Sequence, residues 1–230
     1  MARHLAIGDI HGCITALRSL VDFVAVRPDD TIITLGDYVD RGPDSSAVLD
    51  FIIDLGKTHT LVPLRGNHEI MMLDARESKS WFHAWMGYGG DATLLSYAHA
   101  EEDAGSFADV PDAHFDFMEN ELVAFFECDS HFFVHANADA GIALAQQIDP
   151  TLYWRRYENP EQHCSGKIMV CGHTIQRSGL PVSNAASVCI DTWAYGDGWL
   201  SCLDVESGTV WQANEAGDTR SFTLKTDRQN

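Results

Sequence analysis

An α/β fold with a partly parallel sheet follows from three features of this sequence. Strand, loop and helix signals alternate three times before residue 70. Each strand-like run ends in a polar loop flanked by glycine, and the apolar spacing switches between short continuous runs and a 3.6-residue period. A chain of 230 residues suits one such domain, or one with a modest insertion. At this size the core needs neither disulfide nor structural metal.

The first strand is Leu5-Ala6-Ile7, followed by the loop Gly8-Asp9-Ile10-His11-Gly12. Residues 14–26 carry helical spacing at Leu17, Leu20, Val21 and Val24. A second strand over 31–35 ends in Gly36-Asp37. Pro43 then suits the first turn of a helix that turns Val48, Leu49, Ile52 and Ile53 inward. The third strand, 61–64, ends in Arg65-Gly66-Asn67-His68-Glu69. Right-handed crossovers between these strands are expected. Residues 80–120 read differently. They hold Trp81, Phe82, Trp85, Tyr88, Tyr97, Phe107, Phe115 and Phe117 around an acidic Glu101-Glu102-Asp103, and predict a helical insertion over one edge of the sheet. Core packing accounts for most of these aromatics, with one or two left to line a substrate. Residues 122–127 and 131–135 read as a hairpin about Asp129-Ser130, 167–171 and 187–190 as two strands, and 199–205 with 209–212 as a second hairpin. No repeat or linker interrupts the chain, so residues 1–230 form one domain in this reading.

The formal charge of −19, from 34 acidic and 15 basic residues, repels polyanions at long range. A sequence-independent nucleic-acid binder needs a basic stripe, which is missing, so no nucleic acid is expected as partner. No apolar run reaches the length of a membrane span, and the start lacks a secretory core, so no membrane association and a cytoplasmic location are expected. The six cysteines show no CxxC pair or framework spacing and read as reduced thiols; Cys13 reads as a small packing residue.

Five loops carry the chemistry: Gly8-Asp9-Ile10-His11-Gly12, Gly36-Asp37-Tyr38-Val39-Asp40-Arg41-Gly42, Gly66-Asn67-His68-Glu69, His135-Ala136-Asn137 and Gly172-His173-Thr174. Each follows a strand, and in open α/β sheets such loops meet in one crevice beyond the strands' carboxyl ends. Mixed carboxylate, imidazole and amide ligands suit manganese, iron or zinc, and the lack of thiolate argues against structural zinc. A carboxylate bridging two divalent ions permits activation of water at neutral pH. Taken singly, Asp9 or Asp44 reads as a helix N-cap. His4, His59, His83, His99, His114, His131 and His163 read as surface or satisfied core residues.

In order and composition these motifs resemble the phosphoprotein phosphatase family of calcineurin-like metallophosphoesterases, especially its small bacterial and phage members. GDIHG, GDYVDRG and RGNHE stand nearly as that family writes them, and VHA and CGHT follow in order, so the resemblance spans residues of about 5 to 205. It implies a mixed-sheet sandwich flanked by helices and two divalent cations, manganese first and iron or zinc as alternatives. It implies that Asp9 and His11 bind the first metal, that Asp37 bridges, and that Asn67, His135 and His173 complete the second site. His68 is then the general acid, oriented by Asp40. Arg41, Arg65 and Arg156, the last from Trp154-Arg155-Arg156, hold the phosphate. Guanidinium matches phosphate in a bidentate way that lysine does not, and none of the four lysines lies in a motif.

Two departures stand out. Ala136-Asn137 follows His135 where the family often has glycine, and Asp191-Thr192-Trp193 replaces an Asp-Thr-Gly, placing an indole near the site edge. Asp191 is expected to orient a ligand histidine from behind. The activity implied is a metal-dependent hydrolase of phosphomonoesters, phosphoserine or phosphothreonine proteins or similar small molecules among them. The alternative is a symmetrical bis(5'-nucleosyl)-tetraphosphatase, a group that usually has Asp after GNH where this chain has Glu69. A scaffold without activity is free to lose ligands, yet every position is filled.

Overall fold

The computed structural model describes residues 2–100 and 103–224; Glu101 and Glu102 of the acidic stretch lie outside the described residues. Two mixed sheets stack face to face. In the first, β1 (His4–Ile7), β2 (Thr31–Thr34) and β3 (Thr60–Pro63) run parallel, connected by α1 (Ile14–Val24) and α2 (Ser45–Thr58). In the second, β4 (Phe125–Glu127) pairs antiparallel with β5 (His131–Val134), and β5, β6 (Ile168–Cys171) and β8 (Ser187–Cys189) run parallel beside the edge strand β7 (Val182–Ser183). The antiparallel strands β9 (Leu200–Asp204), β10 (Thr209–Ala213) and β11 (Thr219–Thr223) return to the first sheet, giving the order β11-β10-β9-β1-β2-β3.

The period-2 alternation of strands divides the core into layers. Ala6, Ile33, Phe133, Val170, Val188, Leu203 and Val210 meet between the sheets. Leu5, Ile7 and Ile32 face the helices, where Leu17, Leu20, Val48 and Ile52 close on them. Phe132, Val134, Met169 and Cys171 form the outer layer of the second sheet with Leu144, Leu152 and Tyr153. Asp44 caps α2, its side chain accepting the Ala47 N–H at 2.9 Å. Pro43 therefore sits one residue ahead of the cap rather than in the helix's first turn. Within the described residues no helix is long and apolar enough to cross a membrane.

The segment after β3 is helical: α3 (Asn67–Glu77), α4 (Lys79–Trp85), a wide turn over Met86–Gly90, α5 (Asp91–Ser96) and α6 (Asp112–Asp116). Its α4 packs on α3 and its α5 on α2, and the chain leaving it runs beside the edge strand β3, where the Val123 N–H donates to the Pro63 carbonyl at 3.0 Å. Its aromatics make the contact: Trp85 stacks on Phe107 with centroids 5.3 Å apart, and Phe107 reaches Phe115. Gly89, at φ 106°, lets the wide turn touch the Asp37–Gly42 loop, because a Cβ there would stand 2.7 Å from the Arg41 nitrogen.

Candidate metal and phosphate site

Six loops leave the carboxyl ends of the parallel strands β1, β2, β3, β5, β6 and β8 and converge on Asp37. Its Oδ1 lies 3.5 Å from His135 Nε2, and its Oδ2 lies 3.5 Å from His11 Nε2 and 3.9 Å from His68 Nε2. Two groups of closely placed metal-capable atoms result, His11–Asp37–His68 and Asp37–His135–His173, and Asp37 belongs to both. The backbone is strained to achieve this. His11, Asp37, Asp40, Arg41, His173 and Trp193 all hold positive φ between 47° and 74°. A non-glycine residue there costs roughly 1–3 kcal/mol, a cost tolerated where surrounding structure enforces it, as at functional sites.

Hydrogen bonds sort the histidines into two kinds. Nδ1 of His11 donates to the Val39 carbonyl at 2.9 Å, and Nδ1 of His135 to the Leu35 carbonyl at 2.7 Å. Nε2 of His173 donates to the Trp154 carbonyl at 3.2 Å. Burial disfavours charge on all three and holds them below the ordinary histidine value, His173 at about 4. Each therefore turns a lone pair inward. His135 Nε2 and His173 Nδ1 both stand 2.9 Å from Asn67 Oδ1, so three acceptors face one another beside the Asp37 carboxylate. Asp9 adds a fully buried Oδ1 with no partner, while its Oδ2 accepts the His173 N–H at 2.9 Å. Converging lone pairs and an orphaned carboxylate oxygen are what divalent cations satisfy, so Asp9, His11, Asp37, Asn67, His135 and His173 fit a two-metal set.

His68 is of the other kind. Its Nδ1 donates to Asp40 Oδ2 at 2.6 Å. Burial opposes its charge, but Asp37 and the bonded Asp40 outweigh burial and raise its pKa. Asp37 itself is pushed up by burial and, more strongly, down by the facing His135, His68 and His11. Burial and then Asp191 and Asp37 push Asp9 well above the carboxylate range, and burial takes Asp191 up to about 7.

Among the expected phosphate ligands, Arg41 reaches the centre. Its Nη1 donates to His11 Nε2 at 2.9 Å, and its guanidinium lies 4.9 Å over the Tyr195 ring. Arg65 turns aside, donating from Nη2 to the Met118 and Glu119 carbonyls at 3.2 Å. Arg156 is exposed on the rim, where it shares a recess of about 220 Å³ with His173, Thr174 and Arg177. Asp191 does not orient a histidine, since backbone carbonyls do so for all three; its Oδ1 instead accepts the Trp193 N–H at 3.1 Å. Trp193 holds the left-handed conformation (φ 67°) that a glycine would favour there, and its indole lies over Gly196, where a Cβ would come within 2.1 Å of the ring. Arg177 covers it, and Tyr195, not Trp193, borders the candidate metal set by packing edge-on to His11 at 5.0 Å.

Three contributors were not legible in the sequence. Glu69 accepts four backbone N–H groups, and Trp85 and Thr93 both donate to Asp40. The His83-Ala84-Trp85 and Gly-Gly-Asp-x-Thr stretches that hold the last two carry no pattern separating them from core residues. The remaining buried histidines are accounted for: His114 is bound by Tyr97 and Asp50, His163 by Ser165 and the Ile142 carbonyl. Cys13 is buried and burial pushes its thiol up, as a packing residue requires.

Residues 2–177 match the profile of the calcineurin-like phosphoesterase family. The serine/threonine-protein phosphatase 1 of Salmonella typhimurium is 38% identical over 108 residues, covering 46% of this chain and 48% of that protein. The symmetrical bis(5'-nucleosyl)-tetraphosphatase of Pectobacterium atrosepticum is 43% identical over 68 residues, covering 29% and 24%. The chain thus spans less than half the length of these curated relatives. A solved structure provisionally assigned as a diadenosine tetraphosphatase superposes with a TM-score of 0.66 at 18% identity, over 96% of this chain and 93% of that one, which establishes likeness of fold.

Proposed function

This chain belongs to the calcineurin-like phosphoesterase family, and we propose that it hydrolyses phosphomonoesters of aliphatic alcohols, such as phosphoserine and phosphothreonine proteins, with two divalent cations, manganese foremost. Asp9, His11 and Asp37 hold one cation, and Asp37, Asn67, His135 and His173 the other. Bound there, the cations supply charge neutralisation of the phosphoryl group and activation of water at neutral pH. Arg41 and Arg156 take the phosphate oxygens in bidentate fashion, and Arg65 would join them by leaving the Met118 and Glu119 carbonyls. His68 delivers a proton from Nε2 to the leaving oxygen.

The observation that carries this reading is the buried 2.6 Å pair of His68 Nδ1 with Asp40 Oδ2. An alkoxide is a strong base and leaves only with a proton, so a charged, aimed imidazole serves a phosphomonoester of an alcohol. A nucleotide released from a dinucleoside polyphosphate leaves on a phosphate oxygen and needs that proton far less. A second reading, the symmetrical dinucleoside tetraphosphatase, has its own support in Arg156 and Arg177, which together line the recess beside His173 and suit further phosphates. The test compares metal-reconstituted protein on a phosphoserine peptide, nitrophenyl phosphate and diadenosine tetraphosphate. Turnover of the phosphopeptide that vanishes on exhaustive chelation and returns with manganese is expected. A higher kcat/KM on diadenosine tetraphosphate would favour the second reading, and full activity in metal-free protein would overturn both.

A further inference from the structure

The carboxylate of Asp40 is wholly buried, and His68 is one of three side chains that donate to it. The Trp85 indole N–H is shared between Oδ1 at 3.0 Å and Oδ2 at 2.9 Å. The Thr93 hydroxyl donates to Oδ1 at 2.7 Å and accepts the Asp40 backbone N–H at 2.8 Å. Both residues belong to the helical segment after β3, in α4 and α5. The same segment takes the Arg41 N–H on the Gly89 carbonyl at 3.2 Å, so it grips two consecutive residues of positive φ.

These bonds fix something that Asp40 and His68 cannot fix alone. The terminal torsion of an aspartate is broad and two-fold, so a carboxylate held at one oxygen swings. A donor shared between both oxygens sets the carboxylate plane, and a second donor on Oδ1 leaves Oδ2 to His68. The Nδ1–H of His68 then has one acceptor in one direction, and its Nε2 is aimed accordingly. We infer that Trp85 and Thr93 are positioning residues of the hydrolytic reaction: the helical segment clamps Asp40 from behind and thereby aims His68 at the leaving oxygen. This rests on His68 as the proton donor of the proposed reaction. It makes docking of the helical segment a condition for protonating the leaving group, separate from binding the metals, because neither residue contacts the ligand set.

The test uses Trp85→Phe and Thr93→Val, which keep most of the packing and remove the donors, with Thr93→Ser as the variant that retains a hydroxyl. Each is combined with His68→Asn, and metal content is measured throughout. Thr93→Val and Trp85→Phe are expected to lose about tenfold in kcat/KM on a phosphoserine peptide, a part of the roughly 10²–10⁴-fold that a positioned general acid supplies, and under about threefold on nitrophenyl phosphate. Thr93→Ser recovers most of the loss. In the His68→Asn background neither change costs more, because both act through that imidazole. The low-field proton resonance of His68 Nδ1–H, read on the protein without substrate, shifts or broadens in both single variants. Equal losses on the two substrates, undiminished losses in the His68→Asn background, or an unmoved proton resonance would each overturn the inference. Should Trp85→Phe fail to fold, the two Thr93 variants decide. Should the wild type turn over neither ester, the phosphomonoesterase reading fails, and the proton resonance alone decides whether the clamp positions His68.

Discussion

Replacing Asp9 with Asn separates what that carboxylate does for the fold from what it does for a cation. Oδ2 takes the His173 N–H at 2.9 Å, but Oδ1 is buried with no partner, and burial, Asp191 and Asp37 all raise the pKa. A carboxyl whose folded pKa lies above its unfolded one destabilises the fold at every pH above the unfolded value, increasingly so until the folded pKa is passed. Asn keeps an oxygen for His173 and removes the repelled charge, and its amide hydrogens are drawn toward the same two carboxylates. A buried unsatisfied acceptor costs about 1–3 kcal/mol, so cation-free Asp9→Asn gains about 2 kcal/mol. For a chain of this length that raises Tm by roughly 4–8 °C. With manganese the order reverses. A cation at a hundred times its Kd adds about 2.7 kcal/mol to the wild type, and the variant, short of an anionic ligand, gains little. Thermal melts in chelator at pH 5 and pH 8, then across a manganese titration, read both effects. The variant is expected to melt above the wild type in chelator, by a wider margin at pH 8. A variant that melts lower in chelator, or gains as much from manganese as the wild type, would refute the reasoning and make Asp9 a fold residue.

Three further outcomes are expected. His68→Asn retains both metals and loses about 10²–10³-fold in kcat/KM on a phosphoserine peptide but less than about tenfold on nitrophenyl phosphate; elemental analysis showing lost metal would instead make His68 a ligand, as its place in the His11–Asp37–His68 group permits. Arg41→Ala weakens transition-state binding by about 2–4 kcal/mol with Tm nearly unchanged, whereas Arg65→Ala, which cuts two bonds to the Met118 and Glu119 carbonyls, also lowers stability by about 1–2 kcal/mol in chemical denaturation. Asp30 is pushed up by burial and, more strongly, down to about 2 by Arg3 and the Arg27 N–H. A depressed folded pKa stabilises above the unfolded value and is lost as pH falls from about 4 toward 2, so Asp30→Asn costs roughly 2 kcal/mol at neutral pH and flattens that limb of the pH–stability curve.

The candidate ligands and their loops were readable because each lies on a polar turn after an apolar strand, flanked by glycine everywhere except at His135, a local signal. What the ligands do was less so. His11 and His68 look alike as histidines of polar loops, yet the pKa of one is lowered and that of the other raised. Burial and the neighbouring His68 lower the first, while Asp37 and the bonded Asp40 outweigh burial and raise the second; the Nδ1 partners, the Val39 carbonyl and the Asp40 carboxylate, are contacts made across 28 residues in both cases. Trp85 stood in an aromatic run that periodicity assigns to packing, and packing is part of its role; only the tertiary fold brings its N–H to an aspartate 45 residues away. Strand β11 escaped notice because Thr219–Thr223 is a half-exposed edge with Phe222 as its one large apolar side chain. The two-residue β7 is too short for any periodicity to register.

Glu69 bears on how far single residues discriminate substrates. It stands where the resemblance leads one to expect Asp in a tetraphosphatase, which invites its use as a marker for a phosphomonoesterase. Yet the side chain is fully buried. Oε1 accepts the Tyr38 and Val39 amides at 2.7 and 3.3 Å, and Oε2 accepts those of Asp37 and Gly66 at 3.0 and 2.9 Å. Both oxygens are thus occupied in tying the Asp37 loop to the Asn67–His68 loop, and neither is free to meet a substrate. An Asp at this position is shorter by one methylene and reaches these amides only if the two loops draw together, so the exchange registers loop spacing first. Its influence on substrate choice, if the exchange has one, passes through the placement of Asp37 and His68. On the proposed reading, specificity belongs to groups that do face outward, namely Arg156 and Arg177 on one rim and Tyr195 on the other, and to the proton that His68 would offer. Of these, the proton is the feature a phosphoserine substrate requires and a polyphosphate does not.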